Sequence, residues 1–115
     1  MKVLAVDSDN ETLFALNDFF ESRGWHFRGF DIPEEAIEYL QKKKVDLILT
    51  DTEFSEGIYT GFSFAARAAL VSSAPIFLFT SNFVVKDKLR RHKTIDGIIE
   101  KPNWQNLQGV LRALK

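Results

Sequence analysis

The sequence predicts an α/β domain: a doubly wound, five-stranded parallel sheet with helices on both faces. Three observations carry that expectation. Short apolar runs alternate with segments of helical periodicity, five strand-then-helix units follow one another without a low-complexity linker, and the first, third and fourth strand runs lack polar alternation. Unbroken apolar strands are those covered on both sides. Right-handed crossovers between parallel strands then distribute the helices over the two faces. A chain of 115 residues leaves room for a single domain, 1-115.

Each unit has its own signature. Val3 to Val6 is a continuous apolar run that ends in Asp7, and Leu13, Leu16, Phe19 and Phe20 then recur at helical spacing until Gly24, a C-cap candidate. Trp25 to Phe30 reads as the second strand. Asp31 and Glu34 have capping-box spacing for a helix carrying Ala36, Ile37 and Leu40, closed by Lys42 to Lys44 where the helix dipole favours cations. Val45, Leu47, Ile48 and Leu49 form the third strand, ending at Thr50 and Asp51, and a loop with Gly57 and Gly61 follows. Phe62, Ala65, Ala66, Ala69 and Leu70 suit one face of a third helix. Pro75 to Phe79 is the most apolar strand and ends at Thr80. The run Phe83 to Val85 is too short for a strand, and Lys86 to Lys93 read as a short fourth helix. Gly97 to Ile99 is the last strand, ending at Glu100, Lys101 and Pro102; Asn103 then caps a helix with Trp104, Leu107, Val110, Leu111 and Leu114 as its stripe.

Composition removes several function classes. Hydrophobic residues make up 45% of the chain and charged residues 27%, enough apolar material for a core and too much for a disordered tail. Fifteen basic and sixteen acidic side chains leave a net charge of -1, so no global field favours nucleic acid or anionic lipid. The absence of cysteine excludes disulfides, thiolate nucleophiles and Cys-ligated metals. Four apolar residues before Asp7 are too few for a signal peptide, and no run is long enough to span a bilayer, so a cytoplasmic protein is expected.

In open parallel sheets, ligands bind beyond the carboxyl ends of the strands where strand order reverses. Strand one ends in Asp7, strand three in Asp51, strand four in Thr80 and strand five in Lys101. Two carboxylates, a hydroxyl and an ammonium on one edge are the composition of a metal-assisted phosphoryl site. Carboxylates hold Mg²⁺, while the lysine and hydroxyl meet the anion. Each residue also has an ordinary use: Asp7 or Asp9 as a helix cap, Lys101-Pro102 as a strand exit. A flavodoxin-like enzyme or nucleotide binder is disfavoured, because Asp7-Ser8-Asp9 stands where a phosphate-cradling glycine loop belongs.

Taken in order and spacing, Val6-Asp7-Ser8-Asp9, Asp46 through Asp51, Phe79-Thr80-Ser81 and Gly97 through Lys101-Pro102 make the chain resemble the receiver domain of two-component response regulators. The resemblance covers essentially the whole chain. It implies the flavodoxin-like strand order 2-1-3-4-5. It further implies that Asp51 accepts a phosphoryl group, that Asp7 and Asp51 ligate Mg²⁺ with the backbone carbonyl of Glu53, that Thr80 binds the new phosphoryl group and that Lys101 is the invariant cation. Ser8 and Asp9 are further candidates for the metal site. The implied donor is a histidine kinase or phosphotransfer protein. The implied output runs through the face of the fourth helix, last strand and last helix to a downstream protein or fused effector, with a homodimer as another form of partner. No direct contact with nucleic acid or membrane is implied. Such a domain is not an enzyme, beyond its own phosphorylation and dephosphorylation.

Three departures from the family pattern stand out. Ser8 replaces a second acidic residue, which removes one charge from the metal site; it can instead act as an N-cap with Glu11 at capping-box spacing. Phe54 and Ser55 stand where Met-Pro is common, and Gly61 arrives two residues late, implying a longer loop beside Asp51. Ile98 occupies the place of an aromatic toggle. These features keep open an alternative, an atypical or pseudo-receiver that acts through protein contacts without phosphate. The basic residues Lys86, Lys88, Arg90, Arg91 and Lys93 read as a solvated helix face, and His26 and His92 lack metal-ligand spacing.

Overall fold

The computed structural model describes residues 1–54, 58–81, 93–101 and 103–114. In chain order the elements are β1 (Lys2–Val6), α1 (Asn10–Glu21), β2 (His26–Phe30), α2 (Pro33–Lys42), β3 (Leu47–Thr50), α3 (Gly61–Val71), β4 (Ile76–Thr80), β5 (Gly97–Glu100) and α4 (Trp104–Leu114). The strands form one parallel sheet in the order β2-β1-β3-β4-β5, the order implied by the resemblance. Val3 through Val6 and all of β3 are buried, which is why these strands show no polar alternation. The expected run Phe83 to Val85, the fourth helix over Lys86 to Lys93 except Lys93 itself, His92, Ser55, Gly57 and Pro102 lie outside the described residues.

Successive strand residues point to opposite faces, so the sheet builds two cores. Leu4, Val6, Ile48, Ile76 and Leu78 pack with Ala36, Ile37 and Leu40 of α2 and Phe64, Ala65 and Ala68 of α3. Val3, Ala5, Leu47, Leu49, Phe79 and Ile99 pack with Leu16 and Phe20 of α1 and Leu107 and Leu111 of α4. On this second face Phe19 of α1 stacks on Trp104 of α4 at 5.1 Å between centroids. Strand register is pinned at the opposite edge by two aspartates. Asp46 Oδ2 accepts from the Lys2 amide at 2.6 Å, and Asp96 Oδ2 accepts from the Ile76 amide at 2.8 Å.

Several local expectations are corrected. The third helix buries Gly61, Phe64, Ala65 and Ala68, whereas Ala66, Ala69 and Leu70 face solvent, Leu70 being 76% exposed. Nearly every position of this helix is apolar, so periodicity gave no unique stripe, and the large Phe64 ring decides the rotation. Asp31 does not cap α2: the N-cap is Ile32, without a side-chain hydrogen bond, and Pro33 opens the helix with its pre-set φ. Ser8 is not the cap of α1. That role belongs to Asp9, which accepts from the Glu11 amide at 3.0 Å. Ser22 is the C-cap, and Gly24 lies beyond it with φ 80°, the left-handed conformation that glycine adopts without strain. Asn103 caps α4 as expected, its Oδ1 accepting from the Asn106 amide at 2.9 Å.

Candidate functional site

Backbone pairing alone brings the two strand-end carboxylates together. Val6 of β1 is paired with Thr50 of β3, and the Asp51 amide donates to the Val6 carbonyl at 3.0 Å, so Asp7 and Asp51 leave the sheet side by side. On the other flank Thr80 pairs with Glu100, and the Lys101 amide donates to the Thr80 carbonyl at 3.0 Å. Lys101 therefore emerges at the same edge. Its Nζ donates to Asp7 Oδ2 at 2.5 Å and to Asp51 Oδ2 at 3.1 Å, bridging the pair. The Phe79 ring lies 5.7 Å from that ammonium, a further attraction for its charge.

The remaining carboxylate oxygens are also held. Asp7 Oδ1 accepts from the Asp9 amide at 2.9 Å and Asp51 Oδ1 from the Thr52 amide at 2.7 Å. Exposure separates the two acids: the Asp7 side chain is 3% exposed and that of Asp51 22%. An incoming group thus meets Asp51 first. Burial pushes the Asp7 carboxyl above the usual carboxylate range, although Lys101 and the Asp9 amide oppose the shift. Burial would lower the Lys101 ammonium, but the hydrogen bond and charge of Asp7, reinforced by Asp51, outweigh it and raise its pKa. Lys101 is therefore a fixed cation at neutral pH, facing two acids.

Thr80 is buried, and its Oγ1 lies 3.3 Å from Oγ1 of Thr52, which is buried as well. Thr52 was not singled out by the sequence; its only signal is a hydroxyl immediately after the strand-end acid. Gly61 closes the segment after Asp51, donating its amide to the Thr52 carbonyl at 2.8 Å. A Cβ at Gly61 would stand 2.0 Å from the Asp51 carbonyl oxygen and 2.7 Å from Thr52 Cα, so only glycine fits. Ser8 is half-buried, and Asp9 and Glu53 are exposed. The Asp9 carboxylate is engaged with the Thr12 hydroxyl and Glu11 amide, which hold its pKa below the ordinary value. Ile98 is half-buried and packs against the core shared by α2 and α3.

Among the described residues no three His, Cys, Asp or Glu side chains gather as a metal cluster. Two adjacent carboxylates nevertheless fit Mg²⁺, which keeps several waters and commonly takes one or two protein carboxylates. The pair Asp7 and Asp51 already attracts a cation, the Lys101 ammonium. No described helix is long and apolar enough to cross a membrane.

Comparison with known proteins agrees with the fold. A two-component response regulator from Clostridium difficile is 26% identical, with a TM-score of 0.88 over 99% of this chain and 94% of that one. A response regulator from Thermotoga maritima in complex with Mg²⁺-BeF is 22% identical, with a TM-score of 0.87 over 99% of this chain and 98% of that one. A response regulator from Burkholderia pseudomallei with a phosphorylated aspartic acid is 21% identical, with a TM-score of 0.82 over 99% of this chain and 66% of that one. No curated protein sequence matches the chain. The family model for the response regulator receiver domain matches residues 3–112, nearly the whole length, and the chain belongs to that family.

Proposed function

We propose that this receiver domain accepts a phosphoryl group on Asp51 from a histidine kinase or phosphotransfer protein, in a Mg²⁺-dependent reaction. The single observation that carries the reading is Lys101 Nζ bridging Asp7 and Asp51 at 2.5 and 3.1 Å. A cation at that spot can meet the charge of a transferring group, and the more exposed acid can attack. Mg²⁺, held by Asp7, Asp51 and the Glu53 backbone carbonyl, would supply further neutralisation of the phosphoryl oxygens. The chain's own residues do the rest. An Asp51 carboxylate oxygen forms a bond to phosphorus as the bond from phosphorus to the donor's imidazole nitrogen breaks, and the departing imidazole keeps its proton on the other nitrogen. Lys101 turns from the carboxylate pair toward the transferred group, and the Thr80 hydroxyl donates to it. In this reading the chain is a phosphorylated switch and not an enzyme acting on a separate substrate. Its output passes to a partner or fused effector at the surface of the last strand and last helix.

The relatives' names lend support: one carries Mg²⁺-BeF and another a phosphorylated aspartic acid. A second reading, a phosphate-independent interaction module, is favoured by Ser8 in place of a second carboxylate and by Ile98 packed against the core. Intact mass after incubation with a small phosphodonor and Mg²⁺ separates them. The proposal expects one phosphoryl adduct on the wild type and none on Asp51→Asn; an unmodified wild type at millimolar donor and metal would overturn it in favour of the second reading.

A further inference from the structure

We propose that Thr52 is a positioning residue for the switch, its hydroxyl holding that of Thr80 in the resting state and so setting how readily Thr80 turns to a phosphoryl group on Asp51. The inference rests on the phosphotransfer reading above. Thr52 and Thr80 are 5% and 3% exposed, and their Oγ1 atoms lie 3.3 Å apart at the adjoining ends of β3 and β4. A hydroxyl has one proton to donate. When Thr80 gives that proton to Thr52 it cannot give it to a phosphoryl oxygen, and when Thr52 is the donor, moving Thr80 away leaves a buried donor without that acceptor.

The backbone of Thr52 is held from both sides, so the pair is built rather than incidental. Its amide donates to Asp51 Oδ1 at 2.7 Å, and its carbonyl accepts from the Gly61 amide at 2.8 Å, with no room at Gly61 for a side chain. The same residue therefore grips the acceptor carboxylate with its amide and the responding hydroxyl with its side chain.

Two measurements on the full chain test the inference, using Thr52→Val, which keeps the shape without the hydroxyl, and Thr52→Ser, which restores the hydroxyl. In Mg²⁺-free protein the Thr80 methyl resonance should move in Thr52→Val and lie near its wild-type position in Thr52→Ser. With Mg²⁺ and beryllium fluoride as phosphoryl mimic, Thr52→Val should bind about fivefold more tightly than wild type, the size expected when one ordinary hydrogen bond need not be broken, and Thr52→Ser should match wild type. Equal or weaker binding by Thr52→Val, or an unmoved Thr80 methyl, overturns the inference while leaving the phosphotransfer reading intact. A wild type that binds no beryllium fluoride and gains no phosphoryl adduct overturns both.

Discussion

Among the described residues Lys101 alone faces the two carboxylates, so these residues bring more negative than positive charge to the pocket, and that imbalance sets what single substitutions do. Removing the cation leaves Asp7, 3% exposed, beside Asp51 without the ammonium that bridges them. Lys101→Ala should cost about 1–3 kcal/mol in urea denaturation at pH 7 without Mg²⁺, less than a fully buried pair because water reaches Asp51. The pKa of Lys101 is raised in the folded state, so its contribution is complete below the unfolded value of 10.5 and is lost as pH rises through the higher folded value. Wild type and Lys101→Ala should therefore converge in stability on the alkaline side. Asp7 has the opposite consequence. Its folded pKa lies above 3.8, so its ionised form is a burden at neutral pH that lifts as pH falls through the folded value. Asp7→Asn should then be more stable than wild type at pH 7 in Mg²⁺-free buffer, with the advantage vanishing below about pH 3.8, where both states of Asp7 are protonated. A neutral-pH destabilisation by Asp7→Asn would contradict this assignment of charge.

At the scale of elements, α3 and the turn before it bear most directly on the site. Gly61→Ala drives a Cβ to 2.0 Å from the Asp51 carbonyl oxygen, and the backbone that carries Asp51 has to move. A loss of about 2–4 kcal/mol is expected in denaturant melts, in the range of severe core strain. The rotation of α3 has its own check. Phe64→Ala should cost about 3–5 kcal/mol, while Leu70→Ala, at a position 76% exposed, should stay within about 0.5 kcal/mol. This helix also shows where sequence was insufficient. The first, third and fourth strands announce themselves by unbroken apolar runs, and α4 by a clean Trp104, Leu107, Leu111 stripe, so the alternation of strands and helices and the Asp7, Asp51, Lys101 edge were legible in the sequence, while the strand order was implied only by the family resemblance. In α3 the alanines at 65, 66, 68 and 69 look alike in the sequence, and burial distinguishes them only once Phe64 has found the core. Thr52 was illegible for a different reason. Its importance comes from a residue 28 positions away, and no local pattern marks a pairing between strand ends.

Across the molecule, the pocket draws its parts from the exits of β1, β3 and β5, so a ligand held there would be coupled to overall stability. If Mg²⁺ binds the folded chain alone, a tenfold excess over Kd should add about 1.4 kcal/mol. For a domain of this size that is roughly 5 °C in Tm, reversed by EDTA and diminished in Asp51→Asn, and a scan with and without metal measures it. Chain order adds one more consequence. The ammonium that reconciles the acidic pair is donated by a residue 94 positions after Asp7, reaching past β4 from the sheet's far rim. During synthesis β1 and β3 emerge long before it, whereas a single domain folds as a unit. Lys101, β5 and α4 all lie near the C-terminal end of the sequence, so the counter-charge of the acidic pair, and part of one core with it, is in place only once nearly the whole domain has emerged.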